Sequence, residues 1–115
     1  MKESPVVKSC REYLTLMGAF VWRNQSGMTI INDAKYGKRA IRQGVKGGAD
    51  IIGVLPGGRF LAVECKRPLG PRGGHGGSVQ TDDQRAFQAE VESRGGVYIV
   101  ARSTRDLEHL FVKGA

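Results

Sequence analysis

The segment that most constrains the fold is a pair of apolar runs joined by a turn signal, within residues 48–66. Each run has the length of a β-strand, and the proline and two glycines at 56–58 are typical of a tight turn, so the pattern predicts a β-hairpin. Three polar residues interrupt it: Asp50 near the start of the first strand, and Glu64 and Lys66 at the end of the second. Apolar packing does not explain these three.

The register of the hairpin decides whether these side chains meet. Side chains alternate between the two faces of a strand, so Glu64 and Lys66 share one face while Cys65 points to the other. A three-residue loop at 56–58 places Asp50 directly opposite Glu64, whereas a two-residue loop shifts the register by one and places Asp50 on the other face. Proline at the second position of a type I turn, with glycine at the left-handed position that follows, favours the three-residue loop.

Two carboxylates that face each other at the end of an apolar strand repel, and the site needs positive charge. Lys66 supplies one charge, and a divalent cation is the usual second. Oxygen ligands without a nearby histidine or cysteine pair favour Mg²⁺ or Mn²⁺ over zinc. Such a site suits phosphodiester hydrolysis, with Lys66 orienting or deprotonating the attacking water or neutralising the transition state. The alternative is a strand edge with an ordinary Glu-Lys ion pair and an Asp that ends a loop.

The length of 115 residues predicts one domain spanning 1–115. Only 40% of the residues are hydrophobic, and no apolar run approaches the roughly 20 residues that cross a bilayer. The chain begins without the basic and apolar regions of a signal peptide, so we expect a cytoplasmic protein without a membrane partner. Cys10 and Cys65 lack a C-x-x-C spacing, which indicates reduced core residues and neither a zinc site nor a disulfide framework.

The charge balance points to a polyanionic partner. Eighteen Lys and Arg against 11 Asp and Glu give a net charge of +7. Nucleic acid fits better than a membrane because no basic amphipathic helix stands out, although many basic proteins merely have solvated surfaces. Five of the cations interleave with Tyr36 and glycines, and they predict a mobile phosphate-binding stretch or a plain solvated loop: Lys35, Lys38, Arg39, Arg42 and Lys46.

A second glycine-rich stretch follows the hairpin, with five glycines within residues 67–78. It predicts a flexible loop that is either functional or disordered. Arg67, Arg72 and His75 could close over a nucleic-acid backbone from this loop. His75 is a poor candidate for a metal ligand because nothing holds it in place.

The first third of the chain predicts a helix followed by strands. Ser4 and Pro5 form an N-cap and first helical residue, and Gly18 ends the helix. Residues 19–23 then predict a short strand, and residues 28–31 are consistent with another.

The last third of the chain predicts helix, strand and helix. Thr81 with Gln84 three residues later forms a capping box, which starts a helix that runs to Arg94. Residues 97–101 predict a buried strand, and a short helix begins at Ser103. A strand-helix-strand unit after a hairpin implies a right-handed crossover and a mixed sheet with helices on its faces, which is an α/β fold.

This arrangement resembles the VRR-NUC family of the PD-(D/E)XK nucleases over nearly the whole chain. The residues that carry the resemblance are Glu3, Trp22-Arg23-Asn24 with Ser26-Gly27, residues 48–53, Glu64-Cys65-Lys66, Gln84 with Phe87, and Gly95-Gly96. The sequence departs from the superfamily pattern at Ala49, where proline is expected. That position shapes the entry to the strand and carries no chemistry.

The resemblance implies a restriction-endonuclease-like core, a central mixed β-sheet flanked by helices. It implies that Asp50 and Glu64 bind the metal, that the backbone carbonyl of Cys65 is a further ligand, and that Lys66 serves the water. It also brings Gln84 and Glu3 into the catalytic site, although locally Glu3 is explained by the dipole of the first helix.

Short members of this family look like phage or bacterial proteins that cleave branched DNA as homodimers. The resemblance therefore implies a homodimer acting on four-way junctions, in the cytoplasm of a bacterium or of a phage-infected host. A junction needs two symmetric nicks, which a twofold assembly supplies. The expected DNA contacts are Arg23, Lys35, Lys38, Arg39, Arg42, Lys46, Arg67 and Arg72.

Two other functions remain open. The chain could be a non-catalytic nucleic-acid-binding module, or a subunit that has kept the fold for assembly. A degenerate nuclease tends to lose Asp50, Glu64 or Lys66, and all three are present here.

Overall fold

The structure is a computed structural model that describes residues 3–25, 27–68 and 80–112, with the backbone alone described at 27–31, 33 and 40–43. Its elements follow in the order helix, five strands, helix, strand and 3₁₀ helix. They are α1 (Pro5–Leu16), β1 (Phe20–Arg23), β2 (Gly27–Asp33), β3 (Gly37–Gln43), β4 (Ile51–Val54), β5 (Phe60–Cys65), α2 (Asp82–Ser93), β6 (Val97–Ala101) and a final 3₁₀ helix (Thr104–Phe111). None of the described helices is long and apolar enough to cross a membrane.

Four strands form a mixed sheet in the order β1-β4-β5-β6. The neighbours β1, β4 and β5 are antiparallel, while β5 and β6 are parallel and are connected through α2. The predicted α/β class is therefore confirmed. Strand β5, which carries Glu64, lies in the interior of the sheet and is hydrogen-bonded on both sides.

The helices begin where the capping residues predicted. The hydroxyl oxygen of Ser4 accepts a hydrogen bond from the Val7 amide at 3.2 Å, and Pro5 is the first residue of α1. Thr81 caps α2 through a complete capping box with Gln84. Both caps satisfy amide groups that a helix start leaves without partners, which fixes where each helix meets the sheet.

The two faces of the sheet have separate cores. Side chains of α1 and the 3₁₀ helix pack against one face in a cluster of ten buried residues: Val7, Cys10, Leu14, Ala19, Ile51, Leu55, Leu61, Val63, Ala101 and Leu107. On the other face, α2 contributes Val91 and Phe87 to a smaller cluster with Ala49, Ala62 and Tyr98. Odd-numbered residues of β5 face the larger cluster, and Ala62 and Glu64 face the side of α2.

The hairpin has the register that the three-residue loop predicts. Ile51 pairs with Val63 and Val54 with Phe60, and the Leu55 amide donates to the Arg59 carbonyl at 2.9 Å. The turn type differs from the prediction: Gly57 has a φ of +100°, which belongs to the third position of a type II turn and not of a type I turn. Glycine is compatible with either turn type, and the loop has three residues in both cases, so the register of the hairpin is the predicted one.

The prediction of a loop over residues 35–46 is wrong for most of that stretch. Residues of β3 pair with β2 from Asp33 opposite Gly37 to Gly27 opposite Gln43, in a two-stranded sheet separate from the main one. We call this hairpin, residues 27–43, the ribbon. The suggested strand at 28–31 lies within β2 and is longer than expected.

Candidate functional site

Asp50 and Glu64 face each other at the end of the sheet where β4 begins and β5 ends. The pair Ile51 and Val63 closes the β4–β5 ladder, so Asp50 and Glu64 occupy the next opposing positions. An oxygen of the Asp50 carboxylate accepts a hydrogen bond from the Cys65 amide at 2.8 Å. The Asp50 side chain thus continues the ladder beyond the last backbone pair, and this bond holds its carboxylate beside the end of β5.

Glu64 is the one charged residue buried in the described part of the chain, at 6% exposure. Burial raises the pKa of its carboxyl to about 9, and a hydrogen bond to Asp50 together with the negative charge of Asp50 adds to the rise. Lys66 and the hydrogen bond from Gln84 act in the opposite direction. Burial and the neighbouring Asp50 thus outweigh the positive charge of Lys66 and the hydrogen bond from Gln84 in setting the pKa of this carboxyl.

Gln84 joins α2 to the acidic pair through both ends of its side-chain amide. Its carbonyl oxygen accepts from the Thr81 amide at 2.9 Å, as a capping box requires, and its nitrogen donates to Glu64 Oε2 at 3.1 Å. The two bonds also fix the orientation of the amide, because the reverse would set its oxygen against a carboxylate. Gln84 is thus both a helix cap and a site residue.

Lys66 lies directly after β5, on the same face as Glu64. Its backbone amide donates to the Ala101 carbonyl of β6 at 2.9 Å, which extends the parallel ladder beyond Cys65. The side chain is half-buried, and its positive charge lowers the pKa of Glu64. The structure thus brings together four of the predicted catalytic residues: Asp50, Glu64, Lys66 and Gln84.

The side chain of Cys65 packs on the opposite face, in the cluster that contains Cys10, as the strand alternation predicts. Cys10 is buried in this cluster and Cys65 is half-buried against it, so the predicted core position of both residues is confirmed. The Cys65 amide faces Asp50. The amide and carbonyl of one strand residue point to the same side, so the carbonyl of Cys65 also faces the Asp50 side.

Glu3 is not among the contacts of the acidic pair. Its carboxylate forms a two-pronged ion pair with Arg11 of α1, at 2.8 and 2.9 Å. This pairing lowers the pKa of Glu3, with smaller contributions from Arg23 and Lys8. Arg23 ends β1 opposite Ile51, so Glu3 lies toward the same end of the sheet as Asp50 but is held by Arg11.

The predicted DNA-contacting cations that the structure describes lie on several elements. Lys35, Lys38 and Arg39 are exposed on the ribbon, and Lys46 pairs with Asp83 of α2 at 3.4 Å. The backbone of Arg42 lies in β3. Arg67 is exposed, and its carbonyl accepts from Arg102 at 2.6 Å. Arg72, His75 and most of the predicted glycine-rich loop lie outside the described residues.

Asn24 and Tyr98 are two further residues near the acidic pair. The family resemblance includes Asn24 without giving it a role, and the sequence assigned none to Tyr98. The Asn24 amide donates to the Asp50 carbonyl at 2.7 Å, and its side chain donates to the Ala49 carbonyl at 3.0 Å. Asn24 therefore anchors the backbone that carries Asp50. The sequence signal for such a bond was an asparagine directly after a strand, because asparagine side chains readily hydrogen-bond to backbone groups.

Tyr98 of β6 packs against Phe87 of α2, and its hydroxyl is buried with no hydrogen-bond partner of good geometry in the described part of the chain. Burial raises the pKa of Tyr98, and the charges of Glu64 and Asp50 raise it further. The hydroxyl therefore lies within the field of the acidic pair. Nothing in the sequence distinguishes it from an ordinary core tyrosine.

These donors fit a hard divalent cation better than a soft one. Asp50 and Glu64 supply carboxylate oxygens, the Cys65 carbonyl supplies a third oxygen on the Asp50 side, and both thiols are turned away or buried. A cation here would neutralise the charge that burial makes costly at Glu64. Within the described ranges, no group of three or more His, Cys, Asp or Glu side chains gathers around one point, so this set depends on the backbone oxygen.

Comparisons of the chain with protein-family models, curated proteins and solved structures find no match.

Proposed function

We propose that this protein is a Mg²⁺- or Mn²⁺-dependent DNA endonuclease of the VRR-NUC type, with a restriction-endonuclease-like core. The observation that supports this best is the buried Glu64, which faces Asp50 at the sheet edge and has Lys66 and Gln84 as its neighbours. Burying an acidic pair costs stability, which is expected where the pair binds a cation that the reaction uses. A structural ion pair would need no second carboxylate.

Each residue has a distinct role in this proposal. Asp50, Glu64 and the Cys65 carbonyl would hold the cation, which supplies Lewis-acid chemistry at the scissile phosphate. Gln84 holds the Glu64 carboxylate in place through its 3.1 Å hydrogen bond. Lys66 would orient the attacking water or take up its proton, or stabilise the negative charge of the transition state.

The preferred substrate in this proposal is branched DNA, above all the four-way junction, and the active species is a homodimer. The net charge of +7 supports a polyanionic substrate. Two copies related by a twofold axis would place two sites at symmetric positions of a junction.

The test is cleavage of labelled four-way junction, linear duplex and single strand by the purified protein, with Mg²⁺ and with chelator. Metal-dependent cleavage with preference for the junction supports the proposal. A protein that binds these DNAs tightly but cleaves none of them would instead be a nucleic-acid-binding module, a function that the exposed cations of the ribbon also support.

Lys66→Ala should abolish cleavage while leaving DNA binding and its salt dependence largely intact. The reason is that Lys66 lies beside Glu64, where one ammonium group acts on the reacting water or phosphate. Lys8→Ala removes an equally charged, exposed side chain from α1 and is the matched control. Cleavage that is unchanged in Lys66→Ala would remove Lys66 from the mechanism.

A further inference from the structure

The ribbon is a second sheet that hydrogen-bonds within itself and not to the main sheet. Seven Cα pairs join β2 to β3, from Gly27 opposite Gln43 to Asp33 opposite Gly37, which gives a length of about 20 Å. A two-stranded hairpin is marginally stable on its own in water. The ribbon is therefore an element for which a covering partner is expected.

The base of the ribbon is fixed beside the acidic pair. The chain enters the ribbon after β1 and returns to the main sheet at Asp50, and Asn24 closes this base through its bonds to Asp50 and Ala49. The returning limb lies against α2: a Cβ placed on Gly47 would come within 2.3 Å of the Asp83 carbonyl oxygen, and Lys46 pairs with Asp83. The ribbon therefore extends from the same edge of the sheet that presents Asp50 and Glu64.

The tip of the ribbon carries three cations, and two of them lie over one aromatic ring. Lys35, Tyr36, Lys38 and Arg39 are all exposed, with Tyr36 at 65%. The Lys35 ammonium lies 5.3 Å from the centre of the Tyr36 ring, and the Arg39 guanidinium lies 5.9 Å from it. The tip thus carries three cations against one carboxylate, that of Asp33, together with a flat ring, a combination that suits phosphates and bases.

We propose that the ribbon is a DNA-binding arm that enters the major groove of a B-form duplex next to the bond cleaved. A two-stranded β-ribbon fits the major groove of an undistorted duplex, which is about 12 Å wide, whereas the minor groove, about 6 Å wide, must first be widened at a cost in DNA deformation. The major groove of A-form RNA is too narrow and deep for side chains to read, so the arm selects DNA. This inference rests on the proposed function for the reaction at the acidic pair, and it adds which nucleic acid is held and how.

A second copy of the chain fits the ribbon tip less well than DNA does. The tip presents Lys35, Lys38 and Arg39, and the chain as a whole carries a net charge of +7, so two copies would repel at this contact. A duplex carries one negative charge per about 1.7 Å, and each protein cation that neutralises a phosphate releases a condensed counterion, which favours binding. Charge complementarity therefore favours DNA.

The experiment measures binding by fluorescence anisotropy in chelator, where cleavage does not interfere. Lys38→Gln/Arg39→Gln removes two tip charges, and Lys8→Gln/Arg105→Gln removes two exposed charges from α1 and the 3₁₀ helix as the matched control. We expect the tip variant to bind duplex about tenfold more weakly and to lose about two units of salt slope, with little change in the control. Equal loss in both variants would overturn the proposal.

Two further substrates test the groove itself. The same duplex with glucosylated 5-hydroxymethylcytosine fills the major groove, and we expect wild-type binding to fall to the level of the tip variant. Unchanged binding to that duplex would overturn the proposal, as would a tip variant that loses single-strand and duplex binding by the same factor. A tip variant that changes the oligomeric state in sedimentation while binding duplex normally would assign the ribbon to a second copy instead.

Failure of this proposal is distinguishable from failure of the proposed function. If the wild type cleaves DNA in Mg²⁺ and the tip variant binds duplex normally, the nuclease function is supported and the DNA-binding role of the ribbon is refuted. If the wild type cleaves no DNA and the tip variant loses duplex binding, the DNA-binding role is supported and the nuclease function is refuted. Tyr36→Ala, which keeps every charge, checks that weaker binding does not come from an unfolded ribbon, since its salt slope should stay at the wild-type value.

Discussion

At the scale of single residues, Gln84 links the start of a helix to the acidic pair. A capping box and a site residue are usually alternative explanations for a glutamine at this position of a helix. Here one amide group does both, because its oxygen accepts from Thr81 and its nitrogen donates to Glu64. The local sequence revealed the cap, whereas the bond to Glu64 depends on how α2 sits on the sheet.

Gln84→Ala should reduce cleavage by about 10- to 100-fold, because a residue that orients a metal ligand contributes on that scale. It should also lower the free energy of unfolding by about 1 kcal/mol through loss of the cap. Thr81→Ala is the matched control. It removes the hydrogen bond from the Gln84 backbone amide to the Thr81 hydroxyl and leaves the bond from the Gln84 side chain to Glu64. Equal loss of cleavage in both variants at matched stability would show that Gln84 acts only as a cap.

Glu64 should make the metal-free protein less stable as the pH rises. Its carboxyl has a raised pKa in the fold, so its favourable contribution is complete below the unfolded value of 4.5 and is lost as the pH approaches about 9. Glu64→Gln removes this titration and keeps the shape of the side chain. In chelator, the variant should gain stability over wild type between pH 5 and pH 9, by at most about 1.4 kcal/mol per pH unit.

Chemical denaturation at several pH values measures this difference. Addition of Mn²⁺ should shrink it by stabilising the wild type and not the variant, because only the wild type has the full acidic pair. A constant difference across the pH range would mean that Glu64 titrates normally.

At the scale of elements, the segment between the ribbon and β4, residues 44–50, packs against the first turn of α2. Gly47 has a φ of +76° and lies where a side chain would overlap the Asp83 backbone. Asp83 directly precedes Gln84 in the first turn of α2. The path of residues 45–48 and the position of Gln84 are therefore coupled.

Gly47→Ala should destabilise the protein by about 2–4 kcal/mol, through the left-handed backbone and the overlap with Asp83. It should also lower cleavage, because relief of the overlap moves the turn that holds Gln84. Gly57→Ala is the matched control: its φ is +100°, but no atom lies within 4 Å of the added Cβ, so only the backbone strain of about 1–2 kcal/mol applies. Thermal melts and cleavage rates compare the two, and similar effects at both glycines would contradict the coupling.

The sequence predicted most elements of the main sheet but not the ribbon. The β4–β5 hairpin was readable because apolar runs of strand length flank a proline-glycine turn, and burial on both faces fixes the register. The apolar residues of β3 are Ala40 and Ile41, which are adjacent, so the strand lacks the alternation of apolar and polar residues that marks a strand. Its lysines, arginines and glycines instead resemble a solvated loop.

At the scale of the whole molecule, one face of the main sheet builds the larger core and the other face carries the acidic pair. Residues of β5 that face α1 are apolar and build the larger core, while the opposite face ends in Glu64. Asp50 and Glu64 could be paired from sequence because the residues at 56–58 favour a three-residue loop, which sets the register that places them opposite each other. Glu3 could not be placed, because the ion pair with Arg11 depends on the packing of α1, and Tyr98 was hidden among core residues.

Isothermal titration calorimetry with Mn²⁺ tests whether Asp50 and Glu64 hold a hard cation. Wild type should bind Mn²⁺, and Asp50→Asn and Glu64→Gln should each abolish that binding. Glu108→Gln, which changes an exposed carboxylate on the 3₁₀ helix, should bind as wild type does. No binding of Mn²⁺ by the wild type, or equally tight binding by Asp50→Asn or Glu64→Gln, would show that the acidic pair is not a metal site.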